Sequence, residues 1–196
     1  MRRALLRQSE LAAVDLLCAQ KFASIYDFAT LDVRKLALPV SVTFETFLNY
    51  ARETDMDPAD LKHLRTPEGM AVRYGNRYLV LYDDSMPARR LNWTLAHELG
   101  HILLGHLGEE CPAAEREANV FAASLLCPTV ALHYLEHRDG RALTEDDLTA
   151  VFPISREAAV NRLKDLRRTA KRQPNGNDIA LLLALFGLIG KAQPLS

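Results

Sequence analysis

The sequence predicts an α+β protein, mostly helical, with a small antiparallel sheet of about three strands packed on one long helix. Three observations carry this. Apolar residues recur every three or four positions over most of the chain, the spacing that lines one face of a helix. Two β-rich runs flank Gly75-Asn76, and Val40, Val42 and Phe44 alternate with Ser41, Thr43 and Glu45 in the period of a half-buried strand. A long helical pattern from Ala88 to about Leu107 contains His97-Glu98-Leu99-Gly100-His101.

Taken in order, Gln8 to Lys21 reads as an amphipathic helix with Leu11, Val14 and Leu17 or Cys18 on one side. A short helix follows from Leu31 to Leu38, ended by Pro39. The alternating strand comes next. Asp57-Pro58 starts another short helix through Leu64, because Asp caps and Pro fits a first turn. Gly69 to Asp83 is a hairpin about Gly75-Asn76, a pair that tolerates the positive φ of tight turns. Asp84, Ser85 and Pro87 break the pattern before the long helix, which Gly108 closes. Cys111-Pro112 opens a helix to about Leu126, stopped by Pro128. Three helices follow: Thr129 to His137, Thr144 to Val151 with Thr144 as cap, and Ser155 to about Lys171. The last two could form a helix-turn-helix pair. After the turn Gln173 to Asn177, Ile179 to Ile189 is apolar all round but falls well short of the roughly 20 residues of a membrane span. It reads as a C-terminal helix docked on the body or on a partner subunit, in preference to a membrane-surface anchor beside the basic stretch.

The 196 residues suit one ordinary domain with a real core, and 48% apolar with 25% charged residues is a globular composition. A net charge of −1 gives no global attraction to nucleic acid or an anionic membrane. The local basic stretch Arg162, Lys164, Arg167, Arg168, Lys171 and Arg172 reads as a solvated helix end, so no direct nucleic-acid contact is expected. Three cysteines, Cys18, Cys111 and Cys127, are an odd number without ligand-like spacing, which points to a reducing compartment. The start Met-Arg-Arg-Ala-Leu-Leu-Arg has the basic flavour of a signal peptide, yet Gln8, Ser9, Glu10 and Asp15 interrupt any apolar run. The expected location is the cytoplasm, with no transmembrane segment.

The chemistry centres on the pentapeptide. Histidines four apart on a helix face the same way, so His97 and His101 can reach one metal ion, and Glu98 projects beside them to take a proton from water. A catalytic zinc needs a third protein ligand. The next helix offers Glu115 and Glu117. His106 falls five residues after His101, off the spacing of an extended three-histidine motif, and is not expected to be a ligand.

Arg90, Thr94 to His106 and Glu115 to Pro128 resemble the ImmA/IrrE-type zinc metallopeptidases, bacterial and phage proteins of the gluzincin group. The resemblance extends over most of residues 10 to 170, with Cys127 standing where the family more often has Met. It implies a minimal zincin-like core over about 30–137, helical or helix-turn-helix-like segments over about 144–172, and a tail at 173–196 outside it. It also implies one Zn2+, with Glu115 as third ligand and Asn119 supporting a ligand histidine; the four-residue spacing places both on one helix face. Glu117 is the alternative third ligand. Tyr78, Tyr82 and His106 are candidate oxyanion or substrate contacts, and the strand Tyr78 to Tyr82 is a candidate edge for substrate. The implied substrate is a helix-turn-helix repressor of phage-repressor type, encoded nearby, in control of a mobile element, stress response or toxin–antitoxin operon. The alternative is a non-proteolytic metal-binding regulator that grips such a repressor in the same cleft.

Overall fold

The structure, a computed structural model, describes residues 2–56, 68–108, 111–169 and 173–187. The expected short helix at 57–64 and His63 therefore lie outside the described residues. The chain forms two units, Met1–Ala12 with Asp32–Ala122, and Ala13–Leu31 with Ala123–Ser196. The helix α1 (Arg2–Cys18) begins in the first and ends in the second.

In the first unit, β1 (Val42–Thr46), β2 (Gly69–Tyr74) and β3 (Arg77–Tyr82) form one sheet in the order β1-β3-β2. The hairpin turns at Gly75, whose φ of 59° suits a residue without a Cβ. β2 and β3 pair antiparallel, Gly69 opposite Tyr82 and Ala71 opposite Val80. The sheet is not antiparallel throughout as expected: β1 runs parallel to β3, Val42 beside Tyr78 and Thr46 beside Tyr82. A parallel neighbour needs a crossover of a dozen or more residues, and the chain between β1 and β2 supplies one.

That crossover opens with α2 (Phe47–Thr54), a helix absent from the sequence reading. It follows β1 directly, and Thr46 caps it by accepting from the Asn49 N–H. Phe47 and Ala51 bury against Leu81 on one face of the sheet, with Tyr50, Met70 and Leu79 packed around them. On β2 and β3 also packs α3 (Ala88–Leu103), the helix of the pentapeptide.

The helix α3 ends four residues earlier than the sequence suggests. Gly105, at φ 78°, is its left-handed terminator; the Gly105 N–H bonds the Ile102 carbonyl and the His106 N–H bonds the His101 carbonyl. This paired pattern is the Schellman motif. Gly108 also has positive φ, but the first glycine past the helix captures the terminal carbonyls. The expected short helix over Leu31 to Leu38 shrinks to one 3₁₀ turn, Val33–Lys35, capped by Asp32; a second 3₁₀ turn, Ile25–Thr30, capped by Ser24, precedes that span and is not anticipated. The helix α4 (Pro112–Leu126) follows α3 and carries Glu115 in its first turn.

The second unit holds α5 (Thr129–Asp139), α6 (Glu145–Val151), α7 (Arg156–Thr169) and α8 (Gly176–Phe186). Leu181 and Leu185 of α8 are buried while Ile179 is 47% exposed, so the helix has one covered side rather than burial all round. Its N-terminus meets α1 through Asn177 and Asp15, and Phe186 lies against Tyr134 of α5 with ring centroids 4.1 Å apart. Among the described residues no single helix is long and apolar enough to cross a membrane.

Thr144 caps α6 as expected, in a reciprocal box with Asp147, which also takes two 2.7 Å bonds from Arg141. The Arg141 guanidinium, then Thr144, hold the Asp147 carboxyl well below the usual carboxylate range. A pKa lowered on folding contributes stability above the unfolded value near 3.9 and loses it as pH falls through the folded value. Asp147→Ala is expected to lower stability by about 1 kcal/mol at pH 7, the worth of an exposed cap. In thermal unfolding scans the gap from wild type closes below about pH 4. A gap that stays constant through acid would contradict this role.

Candidate metal centre

The first unit brings three of the expected site residues to one point. His97 and His101 lie one turn apart on α3, their Nε2 atoms 3.0 Å from each other and their rings edge to face. Glu115 reaches across from α4, with Oε2 3.3 Å from His97 Nε2 and Oε1 3.4 Å from His101 Nε2. Among the described residues this is the one group of three or more potential metal donors within reach of one another.

A glycine permits the approach. A Cβ on Gly100 would lie 3.2 Å from the Ala118 Cα, 3.3 Å from the Ala118 carbonyl oxygen and 3.1 Å from Phe121. Gly in a helix interior costs about 1 kcal/mol relative to Ala, and here that cost lets two backbones close up. Without it α4 would stand farther out and Glu115 with it.

The donor set fits zinc. Three ligands about 2.0–2.1 Å from one tetrahedral ion stand about 3.3 Å apart, close to the separations above. Burial lowers the pKa of both imidazoles, that of His101 to about 4 with His97 adding to the effect, while Glu115 and Asn119 partly offset it at His97. Both rings are therefore neutral near pH 7, with lone pairs free to bind a metal beside a carboxylate.

Glu98 points to the sheet side of α3. Burial pushes its carboxyl up to about 7, against a hydrogen bond from the Ala71 backbone and with a smaller push from Glu115. A carboxyl poised near neutrality suits general base work. β2 lies close over α3 because Gly69 has no side chain: a Cβ there would sit 2.6 Å from the Thr94 methyl and 3.6 Å from Glu98 Cγ. Just before it, Glu68 takes a two-pronged bond from Arg90 at 2.8 and 2.9 Å, tying the start of β2 to α3. The sequence reading misses Gly69, Glu68 and Ala71; a glycine within a strand pattern is the one available signal of close backbone approach.

The other expected residues take separate places. Asn119, four residues after Glu115, acts on His97 and favours its charged form. The contact falls short of a well-formed bond at the inner nitrogen, because His97 Nδ1 is buried without a partner. Glu117, the alternative third ligand, turns instead to His106, with 3.2 Å between Oε2 and Nε2. Tyr82 is buried, and its hydroxyl accepts a bond from Arg34 at 3.2 Å. Tyr78 is half-buried at the start of β3. β3 cannot be an open edge for substrate, since β1 and β2 flank it on both sides. Among the described residues the unpaired edge nearest Glu98 belongs to β2.

The family model described as the IrrE N-terminal-like domain, Peptidase_M78, matches residues 49–164. Neither a curated protein nor a solved structure matches the chain. The matched segment spans more than half of the sequence and takes in the whole of α3 and α4, with every donor of the cluster. A peptidase assignment agrees with two histidines and a carboxylate converging at one point and with a buried glutamate, its carboxyl raised by burial, next to the first histidine in sequence. The chain belongs to the Peptidase_M78 family of IrrE N-terminal-like domains.

Proposed function

We propose that the protein is a cytoplasmic zinc-dependent endopeptidase that cuts a partner protein at one site, the partner being a helix-turn-helix repressor of phage-repressor type. The observation that carries this is the convergence of His97, His101 and Glu115 with Glu98 alongside. His97, His101 and Glu115 hold one Zn2+, and Asn119 steadies His97 from the second helix. The metal, when bound, polarises a peptide carbonyl and makes water acidic enough to lose a proton near pH 7. Glu98 accepts that proton as water attacks and returns it to the departing amine. Its burial keeps bulk water from competing for the same oxygen, and the Ala71 N–H fixes which way the carboxyl faces.

The β2 edge offers a place for the substrate backbone to pair as an added strand, beside the glutamate. Tyr78 shares the α3 side of the sheet with Val80 and Tyr82 by the two-residue period, and is the tyrosine left for an oxyanion contact. Direct nucleic-acid binding loses support: Arg162 of the basic stretch is buried, and Arg168 pairs with Asp165.

The test is incubation of the zinc-loaded full chain with the repressor encoded beside it. The expected result is a single cut, abolished by a chelator and restored by zinc. A repressor that binds but stays intact under these conditions would instead establish the non-proteolytic regulator.

A further inference from the structure

We propose that His106 and Glu117 form a brace that fixes α4 against the end of α3 and so sets Glu115 over the two histidines. This rests on the metal centre described above. Each residue taken alone competes for a place in that centre, as a ligand or a substrate contact. The structure pairs them with each other, 3.2 Å apart, with side chains only 9% and 16% exposed.

Both ends of the brace are anchored where it matters. The His106 backbone N–H bonds the His101 carbonyl at 2.9 Å through the helix terminator, and the His106 ring lies edge-on to the His101 ring with centroids 5.6 Å apart. Any displacement of His106 is thus transmitted to His101. At the other end Glu117 stands two residues past Glu115 and next to Ala118, whose backbone packs on Gly100. Glu115 itself sits in the first turn of α4 and is 57% exposed, so its own packing does little to place it. Helix first turns fray, and a fixed point just inside the turn is what holds such a residue in register. Glu117 accepts from Nε2–H, while Nδ1 of the same ring is buried without a partner. Among the described residues, the Glu117 carboxylate is therefore the polar contact that orients this ring.

The two are positioning residues, acting through Glu115 and His101. The test uses the full chain as His106→Ala, Glu117→Ala, the double variant and Glu117→Gln, with His97→Ala as a control. Zinc affinity is measured by competition with a chromophoric chelator, and unfolding is followed separately on metal-free protein. The expected result is a 10- to 100-fold loss of affinity, about the cost of removing an outer-shell support, in each alanine variant. The double variant should lose no more than either single one, as for groups acting as one unit. Glu117→Gln, which keeps an acceptor oxygen, should retain most of the affinity. Should His106→Ala not fold, Glu117→Ala and Glu117→Gln, at the more accessible end, carry the comparison. Alanine variants that bind zinc like wild type, even if less stable, overturn the brace while a zinc-deficient His97→Ala upholds the metal centre. Wild-type zinc binding indifferent to His97→Ala overturns both.

Discussion

Replacing Glu98 by Gln is expected to leave one zinc per chain and to slow hydrolysis by about 10²–10⁴-fold, the range of a lost general base. The amide has nearly the shape of the acid, so the buried pocket and the Ala71 N–H remain served in part. What it lacks is a basic oxygen. Glu98 is also not one of the three metal donors, which are His97 and His101 of α3 and Glu115 of α4. Rate and zinc content should therefore separate: hydrolysis of the proposed substrate collapses, while bound metal stays at the wild-type level. Equal loss of both would mean that Glu98 holds the metal; unchanged cleavage would remove it from the chemistry.

The largest stability effect is expected far from this chemistry, at Arg162. The residue is 6% exposed, and its guanidinium donates to the Cys127 carbonyl at 3.0 and 2.6 Å and to the Thr129 hydroxyl at 2.8 Å. Helix α4 ends at Leu126 and the next helix takes its first backbone bonds at the Pro128 carbonyl, which leaves the Cys127 carbonyl between them for Arg162. Arg162 supplies the missing donors in a place water does not reach; burial pushes the neighbouring Cys127 thiol up to about 11. Arg162→Ala removes charged bonds worth about 1.5–3 kcal/mol, strands a buried carbonyl and deletes an apolar stem. A loss of about 3 kcal/mol is expected, or a drop of roughly 6–12 °C in Tm for a chain of this size. Arg162→Met, which keeps the stem, should recover part of it. A change within 0.5 kcal/mol, about that of an ordinary surface site, would show that the junction is satisfied some other way.

Local rules made the centre of the site legible. Four-residue spacing on a helix alone places His97 beside His101, and the same spacing puts Glu115 and Asn119 on one face of the next helix. Gly75-Asn76 and Thr144 identify the hairpin and a helix start because positive φ and side-chain capping are properties of a few residues in sequence. Pairing between distant segments leaves no such mark. That β1 joins β3 in parallel, making β3 central and β2 the edge, depends on where the chain goes between them. α2 escapes notice because it continues from a strand without a breaker, its one cue being Thr46 ahead of Phe47, Tyr50 and Ala51. The end of α3 is ambiguous locally, with Gly105 and Gly108 both able to stop it. Nothing in the separation of His106 and Glu117 announces that they bond; only α4 folding back onto Gly100 makes them neighbours.

The most direct test of the account is elemental analysis of the purified full chain beside Glu115→Ala and His97→Ala. The proposed centre predicts one zinc per wild-type chain and strongly depleted metal in both variants, since each donor atom is within 3.4 Å of another. Wild type without zinc, or zinc retained in full by Glu115→Ala, would contradict it.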